Sequence, residues 1–151
     1  MKIIRIKEED KYFKEIINIY YEWFGKENYT LEEFYNKYKE VLVSETIPSL
    51  YALIINDTLI GMYELNAKDG IDIKKYTPYL AGVYVKENYR NNKYSELLIN
   101  DAIKRANNYG YKKIYLHSRI ENYYEKYGFK LIEEVKINKQ IKRIYERETI
   151  N

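Results

Sequence analysis

The sequence predicts an α/β (α+β) fold: a mixed, mostly antiparallel central sheet of about seven strands with helices packed on it. Three observations carry this reading. Seven short segments are apolar or alternate apolar with polar residues over strand lengths. Three longer segments repeat apolar residues at helical spacing. One of those helices lies between two apolar strands, and a β-α-β crossover makes its two strands parallel.

The elements follow in order. Lys2–Ile6 alternates apolar and charged residues and reads as a strand. From about Glu8 to Phe24, Phe13, Ile16, Ile17, Tyr20 and Trp23 recur at helical spacing, with Gly25 as the stop and Trp23 expected in the core, the alternative being a place on a pocket wall. Thr30-Leu31-Glu32-Glu33 fits a capping box, and Leu31, Phe34, Tyr35, Tyr38 and Val41 carry a second helix to about Val43. Leu50–Ile55 and Leu59–Leu65 are strands joined by the turn Asn56-Asp57-Thr58. Asn66–Thr77 is polar and reads as a loop. Tyr79–Val85 is a strongly apolar strand. Ser95–Tyr109 is helical, with Leu97, Leu98, Ala102, Ile103 and Ala106 inward. Lys113–His117 is a strand, Ile120–Tyr127 a short helix ended by Gly128, and Lys130–Val135 with Lys139–Glu146 a closing antiparallel pair.

No linker or repeat divides the 151 residues, so residues 1–151 read as one domain. The absence of cysteine excludes disulfides, thiolate metal sites and a cysteine nucleophile. A single histidine, His117, excludes a multi-histidine metal site. The net charge of +3 comes from interspersed signs rather than a basic stripe, which argues against a nucleic-acid partner. No apolar run approaches a membrane span, and Met1–Ile6 lacks the apolar core of a signal peptide, so a cytoplasmic location is expected. Tyrosine is overused, at 20 residues, so a tyrosine at any one spacing is weak evidence.

Three segments in order then form a pattern. They are Pro78–Arg90 (PYLAGVYVKENYR), Arg90–Leu98 (RNNKYSELL) and Tyr123–Phe129 (YYEKYGF). Together they resemble the GNAT superfamily of N-acetyltransferases: its central strand, its Arg/Gln-x-x-Gly-x-Gly/Ala cofactor loop and its C-terminal Tyr-Glu-Lys-x-Gly-Phe signature. The preceding helices and hairpin fall where the family has them, so the resemblance covers nearly the whole chain. It implies helices on both faces of the sheet and acetyl-CoA as cosubstrate. It implies pantetheine contacts from the main chain of Val83, Tyr84 and Val85 and from Ser118. It also implies pyrophosphate binding by Arg90, Asn91, Asn92, Lys93, Tyr94 and Ser95, where helix N-terminal amides and an arginine suit an anion. One departure is plain: Lys93 and Ser95 stand where the family has glycines that allow positive φ and close approach.

The resemblance further implies a primary amine acceptor, a small molecule or a peptide, attacking the thioester directly in a ternary complex. Family members are often dimers, so a homodimer is an open expectation. Tyr124 falls at the position from which the family donates a proton to the leaving thiolate. A phenol near 10 suits a thiol near 8.5. The base is open. Glu64 shares a strand face with Ile60 and Met62 by period-2 counting, and is either a pocket carboxylate or a solvated strand-end charge. His117 has a suitable titration range and is either a base or structural. Asp69 is a loop acid that either contacts substrate or is solvated. Two other functions stay in view. One is an acyl-CoA-binding module without catalysis, motivated by the altered glycines. The other is a nucleic-acid site on the basic segment Lys136–Arg147, which Glu146 interrupts.

Overall fold

Apolar residues on two sides of the same strands require helices on both sides of the sheet. In the computed structural model, which describes residues 1–68 and 76–150, the chain meets that requirement. The elements are β1 (Lys2–Arg5), α1 (Phe13–Tyr20), α2 (Leu31–Val41), β2 (Ser49–Ile55), β3 (Thr58–Asn66), β4 (Tyr79–Val85), α3 (Tyr94–Asn108), β5 (Lys113–Ser118), β6 (Lys130–Ile137) and β7 (Gln140–Glu148). The strands form one sheet in the order β1-β2-β3-β4-β5-β7-β6. Among the described residues only β4 and β5 pair in parallel; the other neighbours are antiparallel.

On one face, α3 buries Leu98, Ile99, Ala102, Ile103 and Ala106 against Tyr51, Leu53, Tyr63, Leu65 and Leu116. On the other, α1 and α2 bury Phe13, Ile16, Ile17, Tyr20, Phe34 and Tyr38 against Leu50, Ala52, Ile54 and Met62. The unbroken apolar run of β2 is explained by this double cover. Leu97, expected inward, lies on the flank of α3 and is 37% exposed, while Ile99 fills the core in its place.

Local chemistry sets the boundaries. The first helix begins at Phe13 rather than Glu8, because Asp10 accepts from the Lys7 amide at 2.6 Å and holds a turn there. The wide π turn Tyr21–Gly25 continues from α1. It swings Trp23 outward, so the expected core tryptophan is 52% exposed. The capping box forms as expected: Glu33 N donates to Thr30 Oγ1 at 3.2 Å, and Thr30 N donates to Glu33 Oε1 at 2.9 Å. Asn56 and Asp57 take φ of 50° and 60°, the left-handed pair of a tight hairpin. Asn138 and Lys139 do the same between β6 and β7. The expected helix Ile120–Tyr127 shrinks to a 3₁₀ turn at Tyr124–Tyr127.

Two bulges matter for the site. Register moves from Leu53↔Gly61 to Ile54↔Leu59, leaving Ile60 as an extra residue on β3. Period-2 counting therefore fails there: Ile60 packs on the α3 side, and Met62 on the α1 side. Between β3 and β4 register moves from Met62↔Tyr84 to Glu64↔Ala81, so β4 carries an extra residue near Gly82. Gly82 has φ of 59°, and a Cβ there would lie 2.7 Å from Tyr20 Oη. Tyr20 Oη donates to the Gly82 carbonyl at 2.7 Å, locking α1 to the bulge.

Gly82→Ala should therefore lower stability by roughly 1–3 kcal/mol through left-handed strain and the tyrosine clash. Urea unfolding measures this, and an unchanged midpoint would show that the bulge is not strained by a side chain.

Candidate active site in the gap between two parallel strands

The parallel pair of β4 and β5 is short. It has one register pair, Tyr79↔Tyr115, supported by Tyr115 N donating to Pro78 O at 2.9 Å. Beyond that the strands part, and a cleft of about 1000 Å³ opens. Ala81, Gly82 and Val83 line it from β4, and Leu116, His117 and Ser118 from β5. Trp23, Phe24, Tyr38 and Val41 wall it from the helical side, and Tyr124 from the other end of the chain.

Tyr124 opens the 3₁₀ turn that Gly128 ends at φ of 86°. Its ring meets Phe129 and Tyr145, both at 6.2 Å, and Tyr123 at 4.8 Å. This packing anchors the phenol on the α3 side of the sheet. Burial, and then the neighbouring Tyr123, push its pKa above the ordinary 10.0.

Glu64 reaches the cleft from the opposite face. It is 6% exposed, so the alternative of a solvated strand-end charge does not hold. It pairs with Ala81 across the bulge, and its Oε2 would lie 3.2 Å from a Cβ on Gly82. The buried Tyr20 phenol is raised well above its usual value, first by burial and then by the charge of Glu64. His117 lies on β5 opposite Ile144, half-buried, with its ring 6.4 Å from that of Tyr79. Ser118 lines the cleft while its Oγ accepts from the Ile120 amide at 2.9 Å.

The other expected residues lie elsewhere. The Tyr84 ring packs at a tilt against Trp23, with centroids 5.7 Å apart, which leaves its main chain as the part aligned with the strand. Val85 O accepts from Arg90 Nε at 2.8 Å, and the Arg90 guanidinium covers the Tyr84 ring at 5.4 Å. Asn92 Nδ2 donates to the carbonyls of Tyr89 and Arg90 at 3.1 and 3.2 Å. Asn91 and Lys93 take φ of 68° and 63°, so the loop adopts left-handed geometry without glycine. Lys93 is the N-cap of α3, and its side chain makes no capping hydrogen bond to the first amides of the helix. Asp69 lies outside the described residues. Sequence reasoning missed Tyr20 as a partner of the bulge, since its helical spacing shows only that it faces the core.

The acetyltransferase (GNAT) family model matches residues 12–129. The chain belongs to that family. It is an acyltransferase, and acetyl-CoA is its cosubstrate. No curated protein matches the chain in sequence. Solved structures do share its fold. An aminoglycoside 6'-N-acetyltransferase complexed with coenzyme A is 18% identical with a TM-score of 0.76, covering 100% of this chain and 98% of that one. The aminoglycoside 6'-N-acetyltransferase from Enterococcus faecium is 17% identical with a TM-score of 0.73, over 100% and 98%. A spermidine N-acetyltransferase chimera from Vibrio cholerae and hSSAT is 18% identical with a TM-score of 0.75, over 99% and 96%.

The chain's own residues fit the cosubstrate. Past Tyr79 the β5-facing edge of β4 has no strand partner among the described residues and can hold an extended amide-bearing arm, and a helix start without a side-chain cap faces the loop where an anion would bind. Among the described residues, no group of three His, Cys, Asp or Glu could hold a metal ion, and no helix is long and apolar enough to cross a membrane.

The acetyltransferase loop should tolerate glycine and reject branching. Lys93→Gly should keep or raise stability, and Lys93→Val should lose roughly 1–2 kcal/mol at the left-handed position. Denaturant titration compares them, and a Val variant as stable as the parent would contradict the loop geometry.

Proposed function

We propose that the enzyme transfers acetyl from acetyl-CoA to a primary amine of a small molecule, by direct attack in a ternary complex. The observation that carries this reading is the convergence of a half-buried phenol and a buried carboxylate, from opposite faces of the sheet, on the gap between β4 and β5. The structural neighbours support an amine acceptor of small size, since their names specify aminoglycosides and spermidine.

Acetyl-CoA, when bound, supplies a thioester carbon for the amine to attack. The residues supply the rest. Glu64 accepts a proton from the incoming ammonium, directly or through water, so that the attacking nitrogen is neutral. His117 lines the same cleft and is the alternative acceptor. Main-chain amides of the bulged β4, at Val83 and beyond, donate to the carbonyl oxygen as charge develops on it. Tyr124 donates its proton to the departing sulfur. Its raised pKa keeps that proton in place through the neutral range. The Val83, Tyr84 and Val85 main chain and Ser118 hold the pantetheine arm. Arg90 to Ser95 hold the pyrophosphate, with the Tyr94 and Ser95 amides pointing at it and the Arg90 Nη groups adding charge.

Tyr124→Phe should lower kcat by about 10²–10⁴-fold with little change in coenzyme A affinity, while Tyr123→Phe should not. Full kcat in the Phe variant, with an acceptor for which chemistry limits the rate, rules out the acid role. The pH dependence has a defined sign. A phenol pKa raised above 10.0 retains its proton until the pH passes that value, so the donor is lost only on the alkaline side. kcat should therefore show no alkaline fall below about pH 9.5, and a fall near pH 8 that disappears in Tyr124→Phe would contradict it. Arg90→Glu should weaken coenzyme A binding more than about tenfold, roughly 1.4 kcal/mol; calorimetry with unchanged affinity removes Arg90 from the site.

A further inference from the structure

The walls of the cleft carry a charge pattern that narrows the acceptor, an inference that rests on the acetyl-transfer reading above. Among the described residues, Glu64 is the one carboxylate on those walls, against Lys37, Lys68, Arg119 and Lys142. The four cations come from four places. Lys37 lies on α2, Lys68 beyond the end of β3, Arg119 after β5 and Lys142 on β7. They therefore surround the opening rather than mark one solvated helix face.

Pairing with carboxylates is uneven across the surface. Lys26, Lys39, Lys86 and Lys113 each face a carboxylate. Among the described residues none of the four cleft cations does. Lys37 Nζ meets Tyr29 Oη at 3.3 Å, and Arg119 donates to Gln140 Oε1. Residues 69–75 carry Asp69, Asp72, Lys74 and Lys75, a sum of zero in the sequence. A polyamine or aminoglycoside would set its remaining ammonium groups against these cations, with a single carboxylate among the described wall residues to offset them. Like charges brought together in this way oppose binding. The apolar contribution is also specific, since Trp23, Phe24 and Tyr38 form an aromatic group on the helical side of the wall.

We propose that the acceptor is a small amine with an aromatic or apolar body and a carboxylate of its own. The amine is directed to Glu64 and the body lies against Trp23 and Phe24. The carboxylate meets the lysines at the opening. In the reaction the amine nitrogen forms a bond to the acetyl carbon as the carbon–sulfur bond breaks. The acceptor ammonium sheds two protons, one replaced at the thiol and one released to solvent, and the carboxylate is unchanged.

A matched series isolates the charge: 4-(aminomethyl)benzoate, benzylamine and 4-(aminomethyl)benzylamine differ only at the group distal to the reacting amine. Trp23 is the single tryptophan and lines the cleft, so its fluorescence reports binding to the coenzyme A-loaded enzyme without turnover. The benzoate should bind at least about tenfold tighter than the diamine. The preference should shrink with added salt, and Lys37→Glu with Lys142→Glu should abolish or reverse it. Acetylation rates should follow the same order. Equal or tighter binding of the diamine overturns the proposal, as does failure of all three to bind or a preference that the charge reversals leave intact. Calorimetry with coenzyme A on the same protein separates the two levels. Coenzyme A binding without amine preference overturns the acceptor class alone. Absence of coenzyme A binding overturns the acetyl-transfer reading on which it rests.

Discussion

β4 and β5 run side by side for one register pair, Tyr79 with Tyr115, and then separate. Each strand is committed elsewhere. β5 is held along its whole length by β7, from Lys113 to Ser118. β4 is held by β3, and the extra residue near Gly82 bends it. Twist then carries the two halves of the sheet apart. The gap is a place where, among the described residues, backbone groups of a central strand have no strand partner, and where side chains from both faces can meet. Tyr124 arrives from the α3 face and Glu64 from the α1 face, and neither approach would exist in a fully paired sheet.

The gap is maintained by packing and by a polar network of tyrosines. Tyr63 Oη donates to Asp101 at 2.7 Å, Asp101 accepts from Arg105 Nε at 2.7 Å, and Arg105 Nη2 reaches the Ile3 carbonyl at 2.9 Å. The Arg105 guanidinium also covers the Tyr51 ring at 4.4 Å. These contacts tie α3 to β1, β2 and β3. The position of α3 sets where its uncapped N-terminus points, so a network far from the cleft bears on the loop at Arg90–Ser95. On the other face, Tyr20 ties α1 to the Gly82 carbonyl and places Trp23 and Phe24 at the cleft wall one turn later. Burying Glu64 beside Tyr20 costs desolvation.

The order of elements was legible in the chain because apolar periodicity and turn chemistry are local. The capping box at Thr30, the Asn56-Asp57 turn and the crossover helix needed no tertiary information. The pattern at Arg90–Ser95 and Tyr123–Phe129 was equally visible. Side-chain fate was less so. Trp23 reads as a core residue by helical spacing, yet the π turn rotates it into the cleft wall. Ile60 and Met62 read as one face, yet an extra residue puts them on opposite faces. Both failures have the same cause: a single added residue or a wider turn shifts phase, and periodicity counting assumes constant phase.

The sequence by itself determined the seven strands, the helices on the sheet and the family pattern, since these rest on spacing along the chain. Tertiary structure alone decided that Glu64 is buried rather than solvated, because its burial depends on the bulge at Gly82 and on Tyr20, 44 residues earlier in the chain. It also decided that Lys93 accepts a left-handed backbone where glycine would be at ease, a conformation imposed by the start of α3. The charge balance of the cleft belongs to the same class. Lys37, Lys68, Arg119 and Lys142 are unremarkable in a lysine-rich chain, and acquire a common meaning only when four separate elements bring them around one opening.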